Sequence, residues 1–73
     1  MSGSVYSVVE LIGSSPVSWE EASANAITSA LATISEDLRI AEVIEQDILI
    51  DNGTILTYRT KVRLSYKRSI DGT

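Results

Sequence analysis

The chain has 73 residues, with ten acidic and six basic side chains and a net charge of −4 at pH 7. A chain of this length forms one small domain, which usually needs disulfides, a metal or association with other copies to be stable. The absence of cysteine and histidine excludes disulfides, thiolate zinc sites and histidine acid–base chemistry. The acidic balance argues against nucleic acid as the main partner, because phosphate binding needs a basic surface.

The chain shows no sign of a targeting or membrane-spanning segment. Its first residues, MSGSVYSVVELIG, lack the basic start and the uninterrupted apolar core of a signal peptide. No apolar run approaches the roughly 18 residues that cross a bilayer. The sequence therefore predicts a soluble cytoplasmic protein with no membrane partner.

The first predicted elements are a strand over residues 4–13 and a helix over residues 18–35. SVYSVVELIGSS is rich in valine and then breaks at Gly13 and the serines, as a strand followed by a loop does. Ser18 precedes Glu21 by three residues, which is the spacing of a capping box at a helix start. An apolar stripe recurs at helical spacing, and it combines the small residues Ala22, Ala26 and Ala30 with Ile27, Leu31 and Ile34.

Two more strands are predicted over residues 38–50 and 54–68. The DNG turn between them favours a tight hairpin, because Asn-Gly tolerates positive φ. The last strand alternates apolar and polar residues almost strictly. Its basic residues indicate either a salt-bridged strand face or an anion-binding or interface surface, and they fall within ten positions: Arg59, Lys61, Arg63, Lys67 and Arg68.

The order of the elements predicts an α+β fold of β-α-β-β type over residues 1–73, a single domain. A three-stranded antiparallel sheet would pack on one helix. One helix can cover only one face of the sheet, so the apolar residues along 40–50 on the other face would stay exposed. We expect other copies of the chain to cover that second face.

The sequence contains no recognisable catalytic constellation. Its serines have no histidine beside which they could act as nucleophiles, and its four glycines form no phosphate-binding loop. Glu42 and Glu45 are three residues apart on a predicted strand, a spacing that places them on opposite faces of the sheet. The sequence therefore predicts a protein that is not an enzyme.

Calcium or magnesium is the metal that the residue types allow, because oxygen ligands suffice for both. The acids are dispersed along the chain, so any site would have to assemble between chains. The alternative for each acid is a solvated carboxylate, or one paired with Arg39, Arg59, Lys61 or Arg63. The candidate metal ligands are Glu42, Glu45 and Asp47, together with Glu20, Glu21, Glu36 and Asp37.

Three stretches together resemble the dodecin family: VYSVVELIGSSPVSWEEA, AEVIEQ and TYRTKVRLSYK. The resemblance covers residues 4 to 67. It implies that twelve copies assemble into a hollow homododecamer, and that the protein stores or quenches a ligand without catalysis. Most members bind flavins such as riboflavin, FMN and FAD. The positions that match the family's flavin pocket are Ile40, Glu45, Gln46 and Arg59.

Two of these positions depart from the flavin-binding pattern. Ile40 stands where those members carry a tryptophan that stacks on the flavin ring, and Arg59 replaces a glutamine that hydrogen-bonds the ring edge. An aromatic stack contributes about 0.5–1.5 kcal/mol beyond burial, and arginine donates hydrogen bonds but cannot accept them. The resemblance therefore predicts weak or absent flavin binding.

A non-flavin branch of the family, the calcium dodecins, resembles RIAEVIEQD and TYRTKV more closely. This predicts a flavin-free, calcium-binding assembly. Two alternatives remain open on the sequence alone: a flavin-storage dodecin with an atypical pocket, in which Arg59 stacks or pairs with phosphate, and a purely structural shell. Trp19, the single tryptophan, is predicted to pack at the end of the core rather than to bind a ligand.

Overall fold

The computed structural model describes residues 4–34 and 38–68, and these residues confirm the predicted β-α-β-β order. The elements are β1 (Val5–Ser15), α1 (Trp19–Thr33), β2 (Ile40–Asp51) and β3 (Thr54–Arg68). All three strands form one antiparallel sheet in the order β1-β3-β2. The last strand is therefore the central one, and β1 and β2 are both edges.

The first strand continues through Gly13, where the sequence predicted its end. β1 runs to Ser15 and stays in register with β3, pairing Gly13 with Thr60. A Cβ atom at Gly13 would lie 2.0 Å from the carbonyl oxygen of Ala22 and 3.0 Å from the Cβ of Ala26. The glycine is thus the point of closest approach between sheet and helix, and it does not break the strand.

The helix begins as predicted, with a modified capping box. Ser18 is the N-cap, and its hydroxyl accepts a hydrogen bond from the Glu21 amide at 3.0 Å. The Glu21 carboxylate does not return to the cap and instead accepts from the buried hydroxyl of Ser15 at 2.5 Å. Ser15 Oγ also accepts from the Val17 amide at 2.9 Å. These bonds tie the end of β1 directly to the first turn of α1.

The core lies between α1 and the strands β1 and β3. The helix buries Ala22, Ala26 and Ala30, while β3 buries Val62 and Leu64 beneath them. Alanines allow the helix backbone to lie close to the sheet, as the small-residue stripe predicted. No described buried side-chain nitrogen or oxygen lacks a hydrogen-bond partner, so the small core is fully satisfied.

The β2–β3 hairpin gives the chain an elongated shape. Asn52 and Gly53 have φ angles of 52° and 77° and close the hairpin. The molecule measures 58 × 19 × 14 Å and has a radius of gyration of 15.4 Å, against about 11 Å expected for a compact domain of this length. A single chain therefore leaves much of its strand surface uncovered. Within the described residues, no helix is long and apolar enough to cross a membrane.

Candidate functional site

A β-bulge in β2 places its acidic side chains on one face of the sheet. Val43 pairs with Val62 and Glu45 pairs with Lys61, so one extra residue is accommodated between them. Such an insertion reverses the alternation of side chains beyond it. The prediction that Glu42 and Glu45 face opposite sides is therefore wrong, because it assumed an uninterrupted two-residue period.

The face opposite the helix, which we call the helix-free face, carries a network of ion pairs across all three strands. Glu10 of β1 contacts Arg63 at 3.0 Å and Lys61 at 4.0 Å. From β2, Glu42 contacts Arg63 at 3.4 Å and Glu45 contacts Lys61 at 3.6 Å. We call this set, completed by the Asp47–Arg59 pair, the charge ladder. Of the two predicted alternatives for Arg59, Lys61 and Arg63, the charge ladder favours the salt-bridged strand face over a free basic surface.

The Asp47–Arg59 pair has the best geometry in the ladder. The two residues are direct cross-strand partners, and Arg59 donates from Nε to Oδ1 and from Nη2 to Oδ2, both at 2.7 Å. This two-bond contact is the strong form of an arginine–carboxylate interaction. The hydrogen bond from Arg59 lowers the pKa of Asp47 below its ordinary value. The same bond raises the pKa of Arg59.

Trp19 connects this pair to the first turn of the helix. Its indole Nε1 donates to the backbone carbonyl of Asp47 at 3.2 Å. Its ring meets Tyr58 edge to face, with centroids 5.2 Å apart and planes at 72°, a favourable aromatic arrangement. Trp19 thus packs against Tyr58 and anchors β2 at Asp47. It also lines the groove between α1 and β2, so the expectation that it packs rather than binds a ligand stays a prediction.

The four positions that match the family's flavin pocket do not come together within one chain. Glu45 and Arg59 line a pocket of about 80 Å³ on the helix-free face, with Ile12, Asp47 and Lys61. Gln46 faces the helix side and lines an apolar groove of about 480 Å³ between α1 and β2, together with Trp19, Glu20, Ser23, Ala24, Ile27 and Val43.

Ile40 lies at the other end of the sheet. It pairs with Ser65, six residues from Arg59 along β3, which corresponds to about 20 Å at the rise of a strand. It is 65% exposed and lines a pocket of about 340 Å³ with Tyr6, Arg39, Ser65, Tyr66 and Lys67. A pocket containing all four matched positions would therefore need more than one copy of the chain.

The candidate metal ligands are close in sequence, yet each contacts a cation. Glu42, Glu45 and Asp47 lie beside Arg63, Lys61 and Arg59 respectively. Among the described residues, no three acidic side chains are grouped as a metal site. Their oxygen atoms suit calcium, which takes about six to eight such ligands. The carboxylates fit calcium only as ligands contributed by several copies.

The remaining acidic candidates are not part of this face. Glu21 binds Ser15 at the start of the helix, and Glu20 lines the groove between α1 and β2. Glu36 and Asp37 lie outside the described residues.

Sequence reasoning missed Glu10, which contacts two cations of the ladder. A signal was available, because Glu10 is an acid within a predicted strand, and the last predicted strand of the same sheet is rich in basic residues. An acid among the outward positions of an edge strand, opposite a basic central strand, is the pattern expected for a cross-strand ion pair.

Comparisons with known proteins agree on one family. The family model described as Dodecin matches residues 5–69. A calcium dodecin from Mycobacterium tuberculosis is 47% identical over 64 residues, which cover 88% of this chain and 89% of the relative.

Solved structures give the same result. The crystal structure of a calcium dodecin from Mycobacterium tuberculosis, described as having a novel calcium-binding site, is 44% identical with a TM-score of 0.79, over 94% of this chain and 97% of the other. The dodecin from Streptomyces coelicolor is 28% identical with a TM-score of 0.84, over 97% of this chain and 100% of the other.

Proposed function

The chain belongs to the dodecin family, and on that premise we propose that it is a non-enzymatic, homododecameric protein that binds calcium and has lost the flavin pocket. The observation that carries this proposal is the similarity to the mycobacterial calcium dodecin over nearly the whole chain. A cytoplasmic location and a single domain over residues 1–73 are part of the same proposal.

The shape of the chain supports its assembly with other copies. Large apolar side chains remain exposed along the hairpin, among them Leu49, Ile50, Ile55 and Leu56. The radius of gyration exceeds that of a compact monomer of this length. Contacts between copies would bury these residues and supply the stability that so small a core lacks.

The helix-free face supports an ion rather than a flavin as the ligand. The bulge presents Glu42, Glu45 and Asp47 on one side of β2, so a neighbouring copy could bring a second set of carboxylates to them. Ile40 offers no aromatic plane for stacking, and Arg59 is engaged with Asp47. Calcium would neutralise the carboxylates where chains meet, while the cations of β3 compensate those that it does not bind.

Native mass spectrometry of the protein as purified tests assembly and ligand together. We expect twelve times the 7.9 kDa chain mass, a calcium-sized excess that a chelator removes, and no bound flavin. A monomer or dimer would contradict the assembly. Twelve chains carrying flavin would contradict the loss of the pocket.

Calcium titration of variants tests the location of the site. Glu45→Gln should weaken calcium binding by about tenfold or more, since the loss of a mere outer-shell partner of a metal ligand already has an effect of that size. Asp51→Asn is the matched control, because it removes the same charge from the hairpin end of β2. If Glu42→Gln, Glu45→Gln and Asp47→Asn all keep the calcium affinity of the parent, this face is not the calcium site. That result would not contradict the proposal that the protein binds calcium.

A further inference from the structure

The pocket that contains Arg59 has balanced charges, although the strand that carries Arg59 is rich in basic residues. Its lining includes two carboxylates, from Glu45 and Asp47, and two cations, from Arg59 and Lys61. An isolated guanidinium at this position would bind phosphate well, because its planar N–H groups match phosphate oxygens. Here a residue of the same chain already occupies that role.

We propose that Asp47 is a selectivity-determining residue that keeps phosphate-bearing ligands from binding Arg59 on the helix-free face. Asp47 acts as an internal anion that competes with any external one. This inference rests on the proposed function only in taking the helix-free face as the ligand-binding face, and it concerns the charge of the ligand that this face accepts.

The ion pair already occupies the Arg59 donors that a phosphate would use. Asp47 takes the Nε and Nη2 donors of Arg59 with both of its oxygens at 2.7 Å, the same two-point contact that a phosphate would make. An anion approaching the remaining N–H groups would meet a pair without net charge. The raised pKa of Arg59 and the lowered pKa of Asp47 agree with a charge that is already compensated.

The backbone around Asp47 holds its carboxylate beside Arg59. Residues 47 and 59 are opposite each other in the β2–β3 ladder, so the carboxylate starts beside the guanidinium. The Trp19 indole holds the Asp47 carbonyl at 3.2 Å, which anchors this part of β2 to the helix. An intramolecular carboxylate fixed in this way has a high effective concentration at the guanidinium.

The other charges that line the pocket are also paired. Glu45 lies in the same pocket and is paired with Lys61 at 3.6 Å, so the neighbouring cation is also compensated. Neutralising Asp47 would leave one uncompensated positive charge in the pocket. That change would turn a pocket of balanced charge into one that attracts anions.

Inorganic phosphate is the probe, and Trp19 is the reporter. Trp19 is the only tryptophan and contacts residue 47 directly, so its fluorescence should respond to an anion bound at residue 59. The titration uses the full chain at constant ionic strength after chelator treatment, which makes the result independent of calcium binding. Native mass spectrometry and circular dichroism check that each variant keeps the assembly and fold of the parent protein.

Asp47→Asn should show a saturable response to phosphate with a dissociation constant at least about tenfold below that of the parent. Asp47→Ser provides a second neutral side chain should the first variant fail to fold. Asp51→Asn, which removes an equal charge away from Arg59, should behave like the parent. Adding Arg59→Gln to Asp47→Asn should abolish the response.

Three results would overturn the proposal. The parent protein could bind phosphate as tightly as Asp47→Asn, in which case Asp47 excludes nothing. Asp51→Asn could match Asp47→Asn, which would reduce the effect to net charge. If both variants at position 47 fold and neither responds to phosphate, Arg59 is not an anion site. A parent that binds no calcium would instead contradict the proposed function and leave this comparison intact.

Discussion

The two faces of the sheet are stabilised by different interactions. On the face under the helix, alanines pack against the buried side chains of β3, and Gly13 lets two backbones meet. On the helix-free face, charges are paired in a ladder of partly exposed side chains. Each exposed ion pair contributes only about 0–1 kcal/mol to the free energy of unfolding. Each large apolar side chain that is fully buried contributes several times more.

This difference separates folding from binding. Substitutions beneath the helix should act on the free energy of unfolding, because they change close packing in a small core. Substitutions in the charge ladder should act on ligands and on contacts between copies, because the ladder adds little to the stability of one chain. Substitutions on each face test that division, and the one expected to cost most lies beneath the helix.

Gly13→Ala should be the most damaging single change beneath the helix. The new methyl group would overlap the carbonyl oxygen of Ala22, and backbone cannot move aside as a side chain can. We expect the free energy of unfolding, measured by chemical denaturation, to fall by about 4 kcal/mol or more, or folded protein to be lost altogether.

Gly53→Ala is the control for this substitution. Gly53 has a φ of 77°, and a Cβ atom added there would meet open space, with nothing within 4 Å. Only backbone strain of about 1–2 kcal/mol therefore opposes alanine at this position. Equal losses for the two glycines would show that the helix does not approach the sheet closely at Gly13.

Leu64→Ala should destabilise the protein by about 3 kcal/mol, because it creates a cavity at a side chain that is 1% exposed. Leu49→Ala removes the same group from the helix-free face, where the side chain is 47% exposed. Thermal unfolding should place the Leu64 variant well below the Leu49 variant. The reverse order would mean that contacts between copies, rather than the core of each chain, dominate stability.

The smallest effect concerns the Asp47–Arg59 pair and pH. Because Arg59 lowers the pKa of Asp47, the pair stabilises the folded chain above the ordinary aspartate pKa of about 4. This contribution is lost as the pH falls through the lowered pKa. The melting temperature of the parent should therefore exceed that of Asp47→Asn at pH 7, and the difference should vanish in acid. A difference that keeps its full size well below the ordinary aspartate pKa of about 4 would contradict the ion pair as its source.

The sequence alone determined the local elements, because their signals are local. Ser18 and Glu21 marked the start of the helix, the alanine stripe marked its buried face, and the alternation after Asn52 and Gly53 marked the hairpin. Sequence motifs that resemble those of a known family indicated the same fold. Ion pairing along β3 was also predictable as one of two alternatives, because five basic residues in ten positions require compensation or a ligand.

Only the tertiary structure decided where the side chains of β2 point and why Gly13 is needed. A two-residue period cannot reveal that one residue is inserted between Val43 and Glu45, since a bulge depends on pairing with β3. Nor can local sequence show that the backbone of Ala22 lies against Gly13. Both features arise from contacts between segments distant in sequence, and the first of them places the acids together on the face where we propose ligand binding.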